Sequence, residues 1–220
     1  MVGSPHLEPD NSAFNSAYLL GPDGDIKQRY DKLLLVPFGE YVPLKSIFGW
    51  LEPLAYTLGV SDFSAGKEKT LFELQNGEIH FAVVICFENI FPNLVRSFTD
   101  RGAEFLAVMT NDAWFGHSAA PYQHLQASVF RAVENGVPLV HVANTGVSVF
   151  ISRKGEVLDR VRNPEGKDIF IAGRKTYPLA MENERTFYRR GGWIFPYGAL
   201  ALFVVLLAGK EIRSLILRKS

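Results

Sequence analysis

The sequence predicts a layered α/β domain followed by one membrane-spanning helix. Strand and helix signals alternate from residue 1 to about residue 176, which is the pattern of an α/β fold. An uncharged apolar run occupies residues 193–209, close to the C-terminal end of the sequence. With 47% hydrophobic and 21% charged residues, the composition is that of a folded chain and excludes a disordered one.

Charge and cysteine content exclude several classes of function. The 23 Lys and Arg residues balance the 23 Asp and Glu residues, so the formal net charge is zero. Because nucleic-acid affinity is built from clustered basic residues, we expect no nucleic-acid partner. A single cysteine, Cys86, excludes an intramolecular disulfide framework and a multi-cysteine zinc site.

The N-terminal part of the domain predicts a β-hairpin. Two apolar runs, residues 13–20 and 27–36, flank the turn sequence Gly-Pro-Asp-Gly at 21–24. The preceding segment 4–12, SPHLEPDNS, is predicted as a loop.

The rest of the domain predicts alternating strands and helices. Residues 78–87 run from alternating to continuously apolar, as in a strand covered on both faces. One helix starts at Pro92 and stops at Gly102, and a second covers 121–134 and ends at Gly136. The second helix is predicted to bury the face that carries Leu125, Val129 and Val133. Further strands are predicted at 104–110, 138–144, 147–152 and 156–161.

The apolar run near the C-terminus predicts a transmembrane helix. Trp193 and Tyr197 lie at one end, where interfacial aromatic residues belong, and Lys210 follows at the other. A short buried core helix is the alternative, but the segment is apolar all round. The basic residues on its two sides nearly balance and do not decide its orientation. We divide the sequence into a domain at 1–176, a linker at 177–190, a transmembrane helix at 191–209 and a basic tail at 210–220.

Cys86 is the first candidate for catalysis. It stands at the C-terminal end of a predicted buried strand, just before a turn and a helix. Open α/β sheets place reactive groups at this edge, where helix N–H groups favour a thiolate. An inert buried thiol is the alternative, because free cysteine is among the most buried residue types.

The segment YDKLLLVPFGEYVP at 30–43 contains two further candidates, Lys32 and Glu40. Prolines fix the backbone on both sides of Glu40 and glycine precedes it, so the loop is predicted to hold this side chain in place. A lysine near a thiol stabilises both a thiolate and a developing oxyanion. A solvated lysine and a loop glutamate are the alternative. Glu88, two residues after Cys86, is predicted to orient substrate or to cap the following helix.

A second unusual stretch, TNDAWFGHSAAPYQHLQA, covers residues 110–127. Asn111 and Trp114 directly follow a predicted buried strand, which suggests a capping turn with a pocket-lining aromatic side chain. His117 and His124 lie seven positions apart without an acidic or cysteine partner at ligand spacing. We therefore expect no metal site and no cofactor.

Together these motifs resemble one family. The segments YDKLLLVPFGEYVPL, VVICFENIFP, TNDAWFGHSAAPYQHLQ and RAVENGVPLVHVANTGVSVFIS resemble the carbon–nitrogen hydrolase, or nitrilase-like, domain of bacterial apolipoprotein N-acyltransferases. PFGEYVP and NDAWFG distinguish this membrane branch from the soluble amidases of the superfamily. The resemblance implies a nitrilase-like αββα sandwich, incomplete at its N-terminal side, followed by one C-terminal transmembrane helix.

The resemblance also implies an activity and a location. Members transfer an acyl chain from a phospholipid, through a cysteine thioester, to the N-terminal diacylglyceryl-cysteine of an apolipoprotein. They are enzymes of the bacterial inner membrane, with the catalytic domain on the periplasmic side. The phospholipid donor, the apolipoprotein acceptor and the membrane are therefore the expected partners.

By the same resemblance, each candidate residue acquires a role. Cys86 would be the nucleophile, and Lys32 would stabilise the oxyanion together with a backbone N–H beside the cysteine. Glu40 and Glu88 match acidic residues of the active site. Phe87 stands where the family often has tyrosine and would contact lipid, and we assign substrate binding to it and to the residues Asn111 and Trp114.

The sequence departs from the family pattern in one important respect. Members have a glutamate general base upstream of the lysine in a Trp-Pro-Glu type of motif, whereas only Glu8 precedes Lys32 here. The N-terminal group of membrane helices is also absent from the sequence. We therefore expect a C-terminal portion of the enzyme with little or no activity alone. A nitrilase-like hydrolase of small amides and a non-catalytic membrane-anchored remnant are the alternatives.

Overall fold

The computed structural model describes residues 1–43, 62–181 and 184–217. Within these ranges the strands form two separate sheets. The smaller sheet is antiparallel and has the strand order β1, β2, β3. Its strands are β1 (Val2–Leu7), β2 (Ala13–Leu20) and β3 (Ile26–Asp31).

The larger sheet is mixed, with parallel strands at its centre. Its strands follow one another in chain order, and β5, β6 and β7 are mutually parallel while the outer pairs are antiparallel. Strand β5 is buried from Phe81 to its last residue, as its continuous apolar sequence predicts. The strands are β4 (Phe72–Leu74), β5 (Ile79–Ile85), β6 (Phe105–Asn111), β7 (Leu139–Asn144), β8 (Val149–Ile151) and β9 (Val157–Arg160).

Two helices link the parallel strands. Helix α1 (Pro92–Asp100) joins β5 to β6, and helix α2 (Ala120–Asn135) leads from β6 to β7. Both end where the sequence predicts: the φ angles of Gly102 and Gly136 are +112° and +65°, values that favour glycine. The two sheets share one core, in which Ala17 and Tyr30 are buried together with the apolar residues of β5 and β6.

The predicted hairpin is confirmed, but its second strand is shorter than expected. Strands β2 and β3 pair antiparallel across the predicted turn, and β3 ends at Asp31 instead of residue 36. The reason is a long-range contact: the backbone N–H groups of Leu33 and Leu34 donate to the side chain of Glu88 instead of to a neighbouring strand. The strands predicted at 104–110, 138–144, 147–152 and 156–161 are confirmed as β6 to β9.

Two predictions about local structure were wrong. The segment predicted as a loop at 4–12 begins inside β1, an edge strand among the described residues, in which Pro5 is tolerated because no described strand pairs with its other side. The predicted buried face of α2 was wrong in part: Leu125 is buried and Val129 packs against the core, but Val133 is 45% exposed. That helix instead buries polar groups, namely His124, Ser128, Arg131 and Asn135, beside Leu125 and Ala132.

The C-terminal part forms a separate unit from Arg185 onward. Its helix α3 (Phe195–Leu217) continues beyond residue 209 into the predicted basic tail. The stretch Gly192–Lys210 is long and apolar enough to cross a membrane, with a mean hydropathy of 1.9, and none of it is buried. This exposure disagrees with the alternative of a buried core helix. Residues 182–183 of the predicted linker and 218–220 of the predicted tail lie outside the described residues.

Candidate active site

Cys86 lies on a sharp turn at the carboxyl end of β5. It is the first residue of a short 3-10 helix, Cys86–Ile90, and its φ angle is +51°, in the left-handed region. A side chain at this angle costs free energy, so the surrounding structure must hold the turn in place. The thiol is half-buried at the end of a central parallel strand. A strand that turns sharply into a helix in this way presents a nucleophile to a substrate.

Glu88 fastens this turn to the segment that follows β3. Its carboxylate is fully buried and accepts four hydrogen bonds, three at Oε1 and one at Oε2. The donors are the Tyr30 hydroxyl at 2.7 Å and the backbone N–H groups of Leu33 at 2.7 Å, Leu34 at 3.2 Å and Ile85 at 2.7 Å. Burial raises the pKa of the Glu88 carboxyl, because removal from water disfavours its charge more than these bonds favour it. Glu88 therefore connects the nucleophile turn to the start of the segment that carries Lys32.

Lys32 is fully buried and forms an ion pair with Glu40. Its Nζ donates to Oε1 at 2.8 Å and to Oε2 at 2.7 Å of that carboxylate. The same carboxylate accepts from Asn15 Nδ2 at 2.8 Å and from the backbone N–H of Val36 at 2.8 Å. A buried ammonium group needs such a partner, because an isolated charge in the protein interior is costly.

The backbone of residues 36–41 holds Glu40 in place, as its prolines and glycine predict. The Glu40 N–H donates to the Val36 carbonyl at 2.9 Å, and the Phe38 N–H donates to the Tyr41 carbonyl at 2.9 Å. Phe38 has a φ angle of +59° and a 66% exposed side chain. The direct contact between the Glu40 and Lys32 side chains was not predicted from the sequence.

A buried polar cluster supports the Cys86 turn from the side of α2. His124 Nε2 lies 3.0 Å from the carbonyl oxygen of Cys86, and Nδ1 lies 3.1 Å from Asp112 Oδ1. Thr110 donates to the same Oδ1 at 2.9 Å. No acidic partner was expected for His124 at ligand spacing, but Asp112 is such a partner. Asp112 comes from the preceding strand end and was not recognised by spacing along one helix.

His141 completes this cluster. Its Nδ1 lies 2.7 Å from Ser128 Oγ, and burial lowers the pKa of its imidazole to about 3, so the ring is neutral. Asp112, His124 and His141 each place one donor atom within 4.8 Å of the others. Both ring nitrogens of His124 have protein partners in this arrangement, the Cys86 carbonyl oxygen and the Asp112 carboxylate.

The structure places the remaining predicted residues as follows. Phe87 follows the nucleophile and packs edge-on against Phe91, with ring centroids 5.0 Å apart. Asn111 accepts from the Ala113 N–H at 3.2 Å and caps a 3-10 turn, Asp112–Phe115, as the sequence predicts. Trp114 on that turn is 82% exposed. Their roles in substrate binding remain predictions.

Glu88 and Glu8 both have structural contacts that the sequence did not predict. Glu88 caps its own 3-10 turn through the Ile85 N–H, rather than the following helix α1 as predicted. Glu8 pairs with Arg29 at 2.9 Å and lies 3.1 Å from His6, at the end of β1. These contacts give Glu8 a structural explanation on the smaller sheet.

Comparisons of the sequence with known proteins identify the family. The family model described as carbon–nitrogen hydrolase matches residues 1–175. An apolipoprotein N-acyltransferase from Geobacter metallireducens is 40% identical over 211 residues, which cover 94% of this chain and 39% of that protein. The chain thus spans about two-fifths of the length of this curated relative.

Solved structures show the same fold. Nit3 from Saccharomyces cerevisiae, a member of branch 10 of the nitrilase superfamily, matches with a TM-score of 0.54 and 18% identity. The match covers 72% of this chain and 53% of Nit3. An amidase from Nesterenkonia sp. AN1, solved with a covalent acetamide adduct at its active-site cysteine, matches with a TM-score of 0.51 and 22% identity, over 72% of this chain and 55% of that one. These findings confirm the nitrilase-like fold, and the chain belongs to the carbon–nitrogen hydrolase family.

Proposed function

We propose that this chain carries the acyl-transfer site of an apolipoprotein N-acyltransferase. Its substrates would be a phospholipid, which donates the acyl chain, and the N-terminal diacylglyceryl-cysteine of a lipoprotein, which accepts it. In this proposal Cys86 is the nucleophile, and Lys32, Glu40 and Glu88 complete the catalytic site. The similarity to the Geobacter metallireducens enzyme supports the substrate classes.

The observation that carries the proposal is the conformation of Cys86. A non-glycine residue with a φ angle of +51° at the end of a buried central strand is strained, and strain of this kind concentrates at functional sites. A cysteine that served only to fill the core would have no need of a left-handed turn at the sheet edge. The buried hydrogen bonds from Leu33 and Ile85 to Glu88 stabilise this turn and offset the free-energy cost of its conformation.

The proposed chemistry divides one difficult transfer into two steps. The Cys86 thiolate attacks the ester carbonyl carbon, a C–S bond forms, and the carbonyl electrons move to oxygen. Collapse of this intermediate breaks the C–O bond and releases the lysophospholipid alkoxide, which takes up a proton. In the second step the lipoprotein amine attacks the thioester, an amide bond forms, and the amine loses a proton as Cys86 leaves as thiolate.

Lys32 supports the proposal through its charge. The oxyanion of each tetrahedral intermediate is stabilised most by donors that are already oriented before the reaction. The Lys32 ammonium group is fixed by two short hydrogen bonds to Glu40 and is removed from bulk water. In the proposal it donates to the oxyanion together with the Phe87 N–H beside the nucleophile.

We place the enzyme at the bacterial inner membrane, with the catalytic domain on the periplasmic side. The apolar stretch Gly192–Lys210 supports a membrane anchor, because its exposed side chains suit a lipid environment. One proposed substrate is a lipid and the other carries lipid chains, so both would lie at the bilayer surface, where an anchored active site could bind them. In the proposed division of the chain, residues 1–176 are catalytic, 177–190 link, 191–209 span the membrane and 210–220 form the tail.

The chain alone is expected to be inactive toward phospholipid. The proton that leaves the thiol needs a base, and the Trp-Pro-Glu type of motif that supplies it in the family is not in the sequence. Glu8 is engaged with Arg29 and does not supply a free carboxylate. We therefore expect activity only when the preceding part of a relative is supplied.

The test combines this chain with the N-terminal part of the Geobacter metallireducens enzyme, the part that precedes the matched region. The proteins are incubated in micelles of a diacyl phospholipid, and intact mass reports acylation. We expect an acyl adduct, removed by hydroxylamine, on the wild type but not on Cys86→Ala. An adduct on both proteins, or on neither, would contradict the proposal.

A small-amide hydrolase is the second candidate, favoured by the shared fold with the Nesterenkonia amidase. It would use Cys86 and Lys32 in the same way, with water as the acceptor. Ammonia release from acetamide by the same mixture separates the two functions. Turnover of acetamide without acylation by phospholipid would favour the hydrolase.

A further inference from the structure

We propose that His124, supported by Asp112, is a positioning residue that orients the peptide group between Cys86 and Phe87. This role goes beyond the residues assigned to the reaction above, and it rests on the proposed function of Cys86. His124 touches neither the thiol nor a substrate in the proposal. It acts through the backbone of the nucleophile turn, which it contacts from helix α2.

The geometry of His124 fixes where its hydrogens lie. The Cys86 carbonyl oxygen can only accept, so His124 Nε2, at 3.0 Å, carries a hydrogen and donates it. Asp112 Oδ1 lies 3.1 Å from Nδ1 and accepts from Thr110 as well. Both ring nitrogens of His124 are therefore in contact with protein groups, Nε2 with the Cys86 carbonyl and Nδ1 with Asp112.

Asp112 is rigidly enclosed and can hold the ring. The residue is fully buried, and Gly146 packs so closely that a Cβ there would lie 2.2 Å from Asp112 Oδ2. His124 itself is only 8% exposed. The contact to Cys86 is therefore made by a ring that has little freedom to turn away.

The contact of His124 with the Cys86 carbonyl affects the Phe87 N–H because both groups belong to one planar peptide. In a trans peptide the carbonyl and the following N–H point in opposite directions. A donor that fixes the Cys86 carbonyl oxygen therefore also fixes the direction of the Phe87 N–H. This N–H lies at the start of the 3-10 turn, where backbone donors have no acceptor within the helix.

The same contact strengthens the Phe87 N–H as a donor. A hydrogen bond accepted by a carbonyl polarises the peptide and makes its N–H a better donor, since hydrogen bonds in a chain reinforce one another. The chain Asp112, His124 and the 86–87 peptide ends at the position proposed for the oxyanion. Loss of this hydrogen-bond chain should therefore slow a step that forms an oxyanion. A step that forms no oxyanion should be unaffected.

The experiment compares two reactions of Cys86, the only thiol in the chain. Acylation by p-nitrophenyl butyrate passes through an oxyanion, and alkylation by iodoacetamide does not. The activated ester is chosen because its leaving group needs no proton, so the test does not depend on a general base. Both rates are measured on the full 220-residue chain in detergent micelles at one alkaline pH.

Two variants of His124 separate its two contacts. In His124→Gln the amide N–H occupies the place of Nε2 and reaches the Cys86 carbonyl. In His124→Asn the shorter amide occupies the place of Nδ1 and reaches only Asp112. Thr99→Val is the control, because it removes a buried hydrogen bond between α1 and α2, from Thr99 to Asn135, without touching the turn.

We expect acylation to fall at least about tenfold in His124→Asn and less than about threefold in His124→Gln, as for partial loss of an oxyanion donor. Alkylation should change less than about twofold in both, and Thr99→Val should leave both rates unchanged. Equal acylation rates in the Asn and Gln variants would overturn the inference. A parallel loss of acylation and alkylation would also overturn it, because that is the result of a general structural role.

A measurement on the wild type keeps the inference testable if the variants do not fold. The ring ¹⁵N resonances of His124 should show a hydrogen on Nε2, and a ring protonated only on Nδ1 overturns the inference. Failure of the proposed function has a different signature. In that case wild-type Cys86 would be acylated no faster than a cysteine in a short peptide, whatever residue occupies position 124.

Discussion

Two carboxylates hold the segment between β3 and the Glu40 loop, and they do so by different means. Glu40 receives a buried ammonium group, Lys32, together with two neutral donors. Glu88 receives only neutral donors, three from the backbone and one from Tyr30. Glu40 therefore balances a charge, whereas Glu88 is buried among neutral donors and its contacts include no cationic side chain.

The difference explains what each residue can do for catalysis. Glu40 supplies the counter-charge to the buried Lys32 ammonium group, so its effect on chemistry passes through that group. Glu88 sets the backbone path of the nucleophile turn and of residues 33–34, so its effect passes through geometry. The loss of stability after a substitution at Glu40 should therefore be recovered by removing the Lys32 charge, whereas a loss at Glu88 should depend on its hydrogen bonds.

Loss of the Glu40 charge should have the largest effect on stability. Glu40→Gln leaves the Lys32 ammonium group buried without its counter-charge, and we expect the free energy of unfolding to fall by about 4 kcal/mol. The double variant Lys32→Met, Glu40→Gln should recover at least about half of this loss, because the buried charge is removed as well. Denaturant unfolding in micelles, followed by circular dichroism, measures both.

The control for this prediction is Glu73→Gln, at a carboxylate that is 56% exposed and 3.9 Å from His80. It should change stability by less than about 0.5 kcal/mol. If the double variant is no more stable than Glu40→Gln, the ion pair is not the source of the loss. The conclusion that Glu40 acts through the charge of Lys32 would then be wrong.

Glu88 should show a smaller effect with an unusual pH dependence. Glu88→Gln replaces one acceptor oxygen by a donor that faces other donors, and we expect a loss of about 2 kcal/mol near neutral pH. The folded-state pKa of Glu88 is raised above its ordinary value of 4.5. Its contribution to stability is therefore complete below that value and declines as the pH rises toward the folded-state pKa.

The measurement is the difference in unfolding free energy between wild type and Glu88→Gln at several pH values from 4 upward, and all other titrating groups are common to both proteins. The advantage of the wild type should shrink as the pH rises above about 4.5. An advantage that grows with pH would mean that the hydrogen bonds outweigh burial. In that event Glu88 would behave as a carboxylate stabilised by its donors.

The sequence predicts most of the larger sheet because its signals are local. The continuous apolar runs of β5 and β6, Pro92 at a helix start and Gly136 at a helix end each specify their own element. Strand β1 escaped prediction because it is an exposed edge strand whose residues alternate with no clear apolar pattern. Strand β4, with three residues, is too short to give a signal.

The candidate site was predicted in its residues but not in its connections. Lys32 and Glu40 lie only eight positions apart, so one short sequence motif contains both residues. Glu88 reaches donors 54 to 58 positions away, and no spacing rule anticipates such partners. His124 was overlooked because an apolar stripe was expected on α2, whereas buried polar groups are tolerated wherever they are paired.

The smallest predicted effect tests a single donor of the Glu88 group. Tyr30→Phe keeps the ring, which packs edge-on against Phe98 at 5.7 Å, and removes only the hydroxyl that donates to Glu88. Because a hydrogen bond to a buried charge is lost, we expect a loss of about 1.5 kcal/mol and a further rise in the pKa of Glu88. Tyr122→Phe is the matched control: its hydroxyl donates to Asp168 at 2.8 Å from a 42% exposed side chain, and water can replace that bond. If both variants lose the same stability, burial adds nothing to the bond at Tyr30, and the Glu88 carboxylate is not held by its neutral donors in the way proposed here.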